Sequence, residues 1–138
     1  MDSSISNALR GPIAFAIIRT LIVLPFFMAG LNKLGSFEGM TFYIANGSGL
    51  LTMPLPAVLL VLAIAVELIA PILVVLQRWY GTIAAVFLAA FSIFTGIFYH
   101  QFAAADFSLP NGMDMVVAMK NYGWAMGLLA VAGLMKRD

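Results

Sequence analysis

The chain has 138 residues, 63% of them hydrophobic and only 9% charged, with a mean hydropathy of +1.04. A soluble domain is about 45–50% apolar and about 25% charged, and one this short buries only about two-thirds of its unfolded surface, so a water-soluble fold is excluded. Seven basic and six acidic residues leave a net charge of +1, too weak a basic balance for nucleic acid, and the lack of cysteine removes disulfides, thiol redox chemistry and Cys-ligated metals.

Four apolar runs of roughly 20 residues follow, each long enough to cross about 30 Å of hydrocarbon as a helix. The first, about 12–31, is broken by Arg19. Its length and that internal arginine argue against a cleaved secretory signal. A link at 32–55 carries Phe37, Met40, Thr41 and Ile44 at helical spacing and predicts a short interfacial helix, closed by the turn Asn46-Gly47-Ser48-Gly49. The second run, about 56–76, starts at Pro56 and contains Glu67 and Pro71. The third, about 81–99, carries no charge, and a polar link at 100–114 with a Pro110-Asn111-Gly112 turn leads to the fourth, about 115–135. The absence of alternation and the Ala, Leu and Met content disfavour strands. The fold expected is all-α: a four-helix transmembrane bundle forming one domain over 1–138.

Orientation follows from the basic residues. Arg10, Arg78, Lys136 and Arg137 gather on one side, with Lys33, Lys120, Glu38, Asp106 and Asp114 opposite. The positive-inside bias puts both termini in the cytoplasm. Trp79 and Tyr80 at one interface, and Tyr99, Tyr122 and Trp124 near the other, fit aromatic belts. Gly123-xxx-Gly127 and Gly81-xxx-Ala85-xxx-Ala89 are read as close helix-packing faces.

An ionisable group at membrane depth costs a few kcal/mol and needs a partner or a cavity. Counting from the cytoplasmic helix ends, Arg19 lies ~10 Å deep and Glu67 ~13 Å deep, so the two are expected to pair across the first and second helices. Lys33, His100 and Lys120 gather toward the outer helix ends. One outward-opening cavity lined by them, with Phe26 and Trp124, is the expected site. Plainer readings stand beside this one: a structural Arg19–Glu67 ion pair, snorkelling lysines, an ordinary interfacial histidine.

The residues resemble the DoxX/DoxD-type small four-helix membrane proteins. The resemblance rests on Arg19, Ala29-Gly30-x-x-Lys33, a Pro-initiated second helix with Glu67, Arg78 in the tight second link, His100 closing the third helix and Lys120-Asn121 opening the fourth. Gln77, where the family often has Gly, and Met53-Pro54-Leu55-Pro56, in place of a Gly-x-Pro, depart from the pattern. Members of that family are linked to quinone-reactive oxidoreductases, so the resemblance implies the membrane subunit of a quinone-linked system in a bacterial or archaeal cytoplasmic membrane. In that reading Glu67 and His100 are the catalytic pair, Glu67 taking or giving a proton and a Lys or His100 donating to a quinone carbonyl, and Arg19, Lys33, Lys120, Asn121 and Trp124 hold the quinone head group. No metal, haem or nucleotide is expected, and a redox partner subunit or a homo-oligomer is. The alternatives are a structural or assembly subunit of a larger complex, and a module transporting protons or small molecules.

Overall fold

The computed structural model describes residues 7–8, 11–46, 55–76, 79–98 and 111–135. Five helices of ten or more residues make up nearly all of them, and no strand occurs among the described residues. They are α1 (Pro12–Gly35), α2 (Phe37–Asn46), α3 (Pro56–Leu76), α4 (Trp79–Phe98) and α5 (Asn111–Leu134). Among them α1, α3 and α4 are long and apolar enough to cross a membrane.

The helix ends follow local chemistry. Pro12 opens α1, where a missing N–H costs nothing, after Gly11 in an extended conformation. At the other end, the Ser36 N–H donates to the Asn32 carbonyl, and Lys33 in the last turn complements the negative end of the helix dipole. The helix therefore runs to Gly35, one turn past the apolar run that predicted it. The last helix likewise starts at Asn111, so the expected Pro110-Asn111-Gly112 turn gives way to helix at Asn111 and Gly112. The expected short helix is present as α2, and its predicted face is the packed one. Ile44 is buried against Leu60 and Ile64 of α3, flanked by Phe37 and Met40.

Packing is most extensive between α4 and α5 and between α1 and α3, followed by α3 with α4; α2 lies on α3, and α1 meets α5 along a thinner seam. The inner faces carry Val23, Phe26, Ala70, Val74, Ala85, Leu88, Ala125 and Leu128. The outer faces are equally apolar, with Ile13, Leu21, Ile69 and Ile83 all more than half exposed. A helix that is apolar all round has a core or a lipid environment on every side.

In lipid, association depends on close packing over small residues rather than on the hydrophobic effect. Gly81 shows how tightly: a Cβ there would lie 2.9 Å from the Leu73 carbonyl oxygen, a backbone atom that cannot swing away. Gly81→Ala is expected to destabilise the protein by about 2 kcal/mol, the usual scale of overpacking. Gly133→Ala, where nothing lies within 4 Å, should be neutral or better. Thermal unfolding of the two variants in detergent checks this, and equal melting points would contradict it. The paired glycines of α5 are not equivalent. Gly127 packs onto Ile22, whereas Gly123 faces open space, so only Gly127 serves the packing face expected of both.

Candidate functional site

Glu67 stands 11 residues into α3, about 16 Å from its first residue, and therefore near the middle of an apolar helix. Its carboxylate is almost wholly buried. What accompanies it is decided by the α1–α3 contact. Gly30 presses its backbone onto α3, and a Cβ at that position would lie 2.9 Å from Leu68 Cδ2 and 3.1 Å from Glu67 Cβ. One turn further along α1, Lys33 reaches the same level. Its Nζ donates to both Glu67 oxygens, each at 2.7 Å.

This overturns the expected Arg19–Glu67 pair. Arg19 lies 11 residues before Gly30, about 16 Å away along α1. The depth estimate assumed that the cytoplasmic ends of the two helices are level, whereas the Gly30 contact sets a different register. Arg19 is buried, 6% exposed, with its guanidinium 5.1 Å from the Phe15 ring centroid and its Nε and Nη1 unpaired. Its place on the inner stripe of α1 with Val23, Phe26 and Gly30 is as the spacing predicts; its partner is not.

A cavity of about 540 Å³ opens beside the Lys33–Glu67 pair. Lys120 of α5 also lines it, with Nζ 4.8 Å from the Trp124 ring centroid, a cation–π geometry. Trp124 in turn packs against Phe26 of α1, ring centroids 5.5 Å apart. The structure thus brings together five of the seven sequence-predicted site residues: Glu67, Lys33, Lys120, Asn121 and Trp124 all border this cavity. Arg19 does not border it, and His100 lies outside the described residues. Trp124, expected also as an interfacial belt residue, is part of the cavity wall.

Sequence reasoning missed the polar wall opposite. Asn121 Nδ2 donates to Thr95 Oγ1 at 3.4 Å, Ser92 Oγ donates to the Asn121 carbonyl at 3.2 Å, and Thr95 Oγ1 donates to the Ser92 carbonyl at 3.0 Å. Both Ser92 and Thr95 line the cavity. The signal was there: they are hydroxyls three residues apart, on one face of a span without charge. The contribution of α2, through Met40, Tyr43 and Ile44, was also missed.

Chemically the site is a mostly apolar chamber holding one carboxylate and two ammonium groups. Lys33 and Glu67 neutralise each other, which leaves the Lys120 charge over an indole face. Such a chamber suits a flat, apolar ligand bearing hydrogen-bond acceptors. Among the described residues, no cluster of His, Asp and Glu is arranged to hold a metal ion.

The DoxX family profile matches residues 14–101, well over half of the chain. The chain belongs to the DoxX family. The match takes in Arg19, Lys33, Glu67, all but the first two residues of α1 and the whole of α3 and α4, which fits a DoxX family membrane protein. It ends before α5, so Lys120, Asn121 and Trp124 lie outside the matched residues. No curated protein and no solved structure matches the chain.

Proposed function

We propose that this DoxX family protein binds the head group of a quinone or quinol in the α1–α5 cavity and serves as the membrane subunit of a quinone-linked oxidoreductase. In this reading α1, α3, α4 and α5 form a four-helix transmembrane bundle in a bacterial or archaeal cytoplasmic membrane, with both termini cytoplasmic. The observation that carries it is the Lys33–Glu67 pair set in the wall of an apolar cavity that a second ammonium, Lys120, also lines. Its volume of about 540 Å³ falls within the usual range for small-molecule sites, and its few polar groups converge in the way such sites do.

A bound quinone supplies two-electron, two-proton carrier chemistry. The chain, with no cysteine and one histidine, holds the head group and handles protons, while a partner subunit supplies or takes the electrons. Lys120 Nζ would be the donor to the head group, and Trp124 and Phe26 would supply the aromatic wall beside it. Lys33 Nζ offers a second donor in the same chamber. Glu67, whose carboxylate accepts from Lys33 Nζ at 2.7 Å, is the group that takes or gives a proton in this reading. Asn121, ten residues into α5, donates to Thr95 Oγ1 and ties the middle of α5 to α4 at the cavity wall.

Titration of decylubiquinone into the purified protein in quinone-free lipid nanodiscs tests this. Lys120→Ala should weaken binding by about tenfold, the loss of one charge-assisted hydrogen bond. Trp124→Leu should weaken it by a similar factor. Wild-type protein that binds no quinone would end this reading. The family resemblance would then be left with the assembly role, which the tight α1–α3 contact beside the ion pair favours.

A further inference from the structure

The cavity is closed unevenly. Between α1 and α3 it is sealed by Gly30 against Leu68, and between α4 and α5 by the Tyr122 ring lying on Gly96 and by the Asn121–Thr95 hydrogen bond. Between α1 and α5, Phe26 meets Trp124 and Ile22 fills the space over Gly127. Between α3 and α4 the close approach is at Gly81 and Leu73, next to a link of only two residues. Toward the other end of that pair, three side chains line the cavity and are nevertheless largely exposed: Leu62 at 58%, Phe87 at 57% and Phe94 at 45%.

Exposed side chains that border the cavity mark its openings: Tyr43 and Lys120 mark a polar edge at α2 and α5, and Leu62, Phe87 and Phe94 mark a second mouth between α3 and α4. This mouth is wholly apolar. Leu62 is about 9 Å and Phe87 about 12 Å from the first residue of its helix, well inside the length that crosses a bilayer. At that depth the mouth faces acyl chains rather than water.

We propose that the ligand enters sideways from the lipid through the α3–α4 mouth and is an amphiphile with an apolar tail: its polar head lies at Lys33, Glu67 and Lys120, and its tail leaves between Leu62 and Phe87. The proposal rests on the quinone reading only for the identity of the head. The driving contacts are distinct at the two ends. The head exchanges solvation for two ammonium donors, while the tail passes from acyl chains to an apolar wall and never crosses water.

The chain has no cysteine and two tryptophans, which makes the test direct. Trp79→Phe leaves Trp124, in the cavity wall, as the sole tryptophan. In nanodiscs, 5-doxylstearate is the tailed probe without a quinone head, and quenching of Trp124 is the readout. In the added variant Leu62→Cys, reaction with benzyl methanethiosulfonate should cut the quenching at least threefold, and reductant should restore it, which shows that the fold is intact. Phe87→Cys should behave alike, and Ile17→Cys, on the far face of α1, should not respond. Absence of Trp124 quenching, or quenching indifferent to the label at both mouth positions, overturns the lateral mouth. Decylubiquinone that displaces the probe supports mouth and quinone head together. Label-sensitive quenching that decylubiquinone does not displace supports the mouth and rejects the quinone head.

Discussion

Glu67→Leu is expected to destabilise the protein by about 3 kcal/mol, because it strands the Lys33 ammonium in a mostly apolar chamber. The value sits at the low end for a broken buried pair, since Lys33 keeps about one-fifth of its side chain exposed and can turn part of its charge outward. The double variant Lys33→Met/Glu67→Leu should recover to within about 1 kcal/mol of wild type, as buried pairs replaced by apolar side chains commonly do. Lys33→Met alone should cost less than Glu67→Leu, because a lone buried carboxyl can take up a proton and become neutral. Reversible unfolding in mixed micelles, run as a double-mutant cycle, reads the coupling. Additive effects at Lys33 and Glu67 would refute the pairing. The same cycle with Arg19→Gln in place of Lys33→Met should give no coupling with Glu67, since the two residues lie about 16 Å apart along the bundle.

Gly30→Val is the second large effect. A Cβ at residue 30 meets Leu68 Cδ2 at 2.9 Å, Leu68 Cγ at 3.0 Å and Glu67 Cβ at 3.1 Å. The leucine methyl can rotate away, but the Glu67 Cβ is tied to its backbone, so the two helices must part. The expected loss is about 2–3 kcal/mol, the upper range for an overpacked contact. Parting α1 from α3 also draws Lys33 off Glu67, so ligand binding in the cavity should fall along with stability. Gly35→Ala, with nothing within 4 Å, serves as the control and should stay within a few tenths of a kcal/mol of wild type. If Gly30→Val melted with the wild type, the helix approach at this point would be wrong, and with it the register that puts Lys33 beside Glu67.

The assembly of the site shows which inferences a sequence supports. Lys33, Glu67 and Lys120 stand out in the sequence because a charge in an apolar run is costly whatever the fold. That argument needs only composition and spacing, and it leads to the cavity wall. The choice of partner for Glu67 is of another kind. Arg19 and Lys33 lie 14 residues apart on the same stripe of α1, so helical periodicity admits both. Only the sliding register of α1 against α3 separates them, and that register is set by a glycine contact whose counterpart, Leu68, carries no signal of its own. Ser92 and Thr95 passed unnoticed for a related reason: a hydroxyl can satisfy itself on its own helix, so it marks a site only once a neighbour such as Asn121 is seen across from it.

The sequence by itself determined that the protein is helical, that its long segments suit lipid rather than water, that a short amphipathic helix follows the first, and which charged residues need an explanation. These properties depend on the period of the helix and on the cost of taking charge out of water, both of which are local. The tertiary structure alone decided that Lys33 and not Arg19 meets Glu67, that Trp124 bridges Lys120 and Phe26, and that Leu62, Phe87 and Phe94 border the cavity while largely exposed. Those outcomes depend on where helices touch along their length, and a close approach over Gly30 or Gly81 moves every later residue of the helix past its neighbour by a distance that no residue reveals alone.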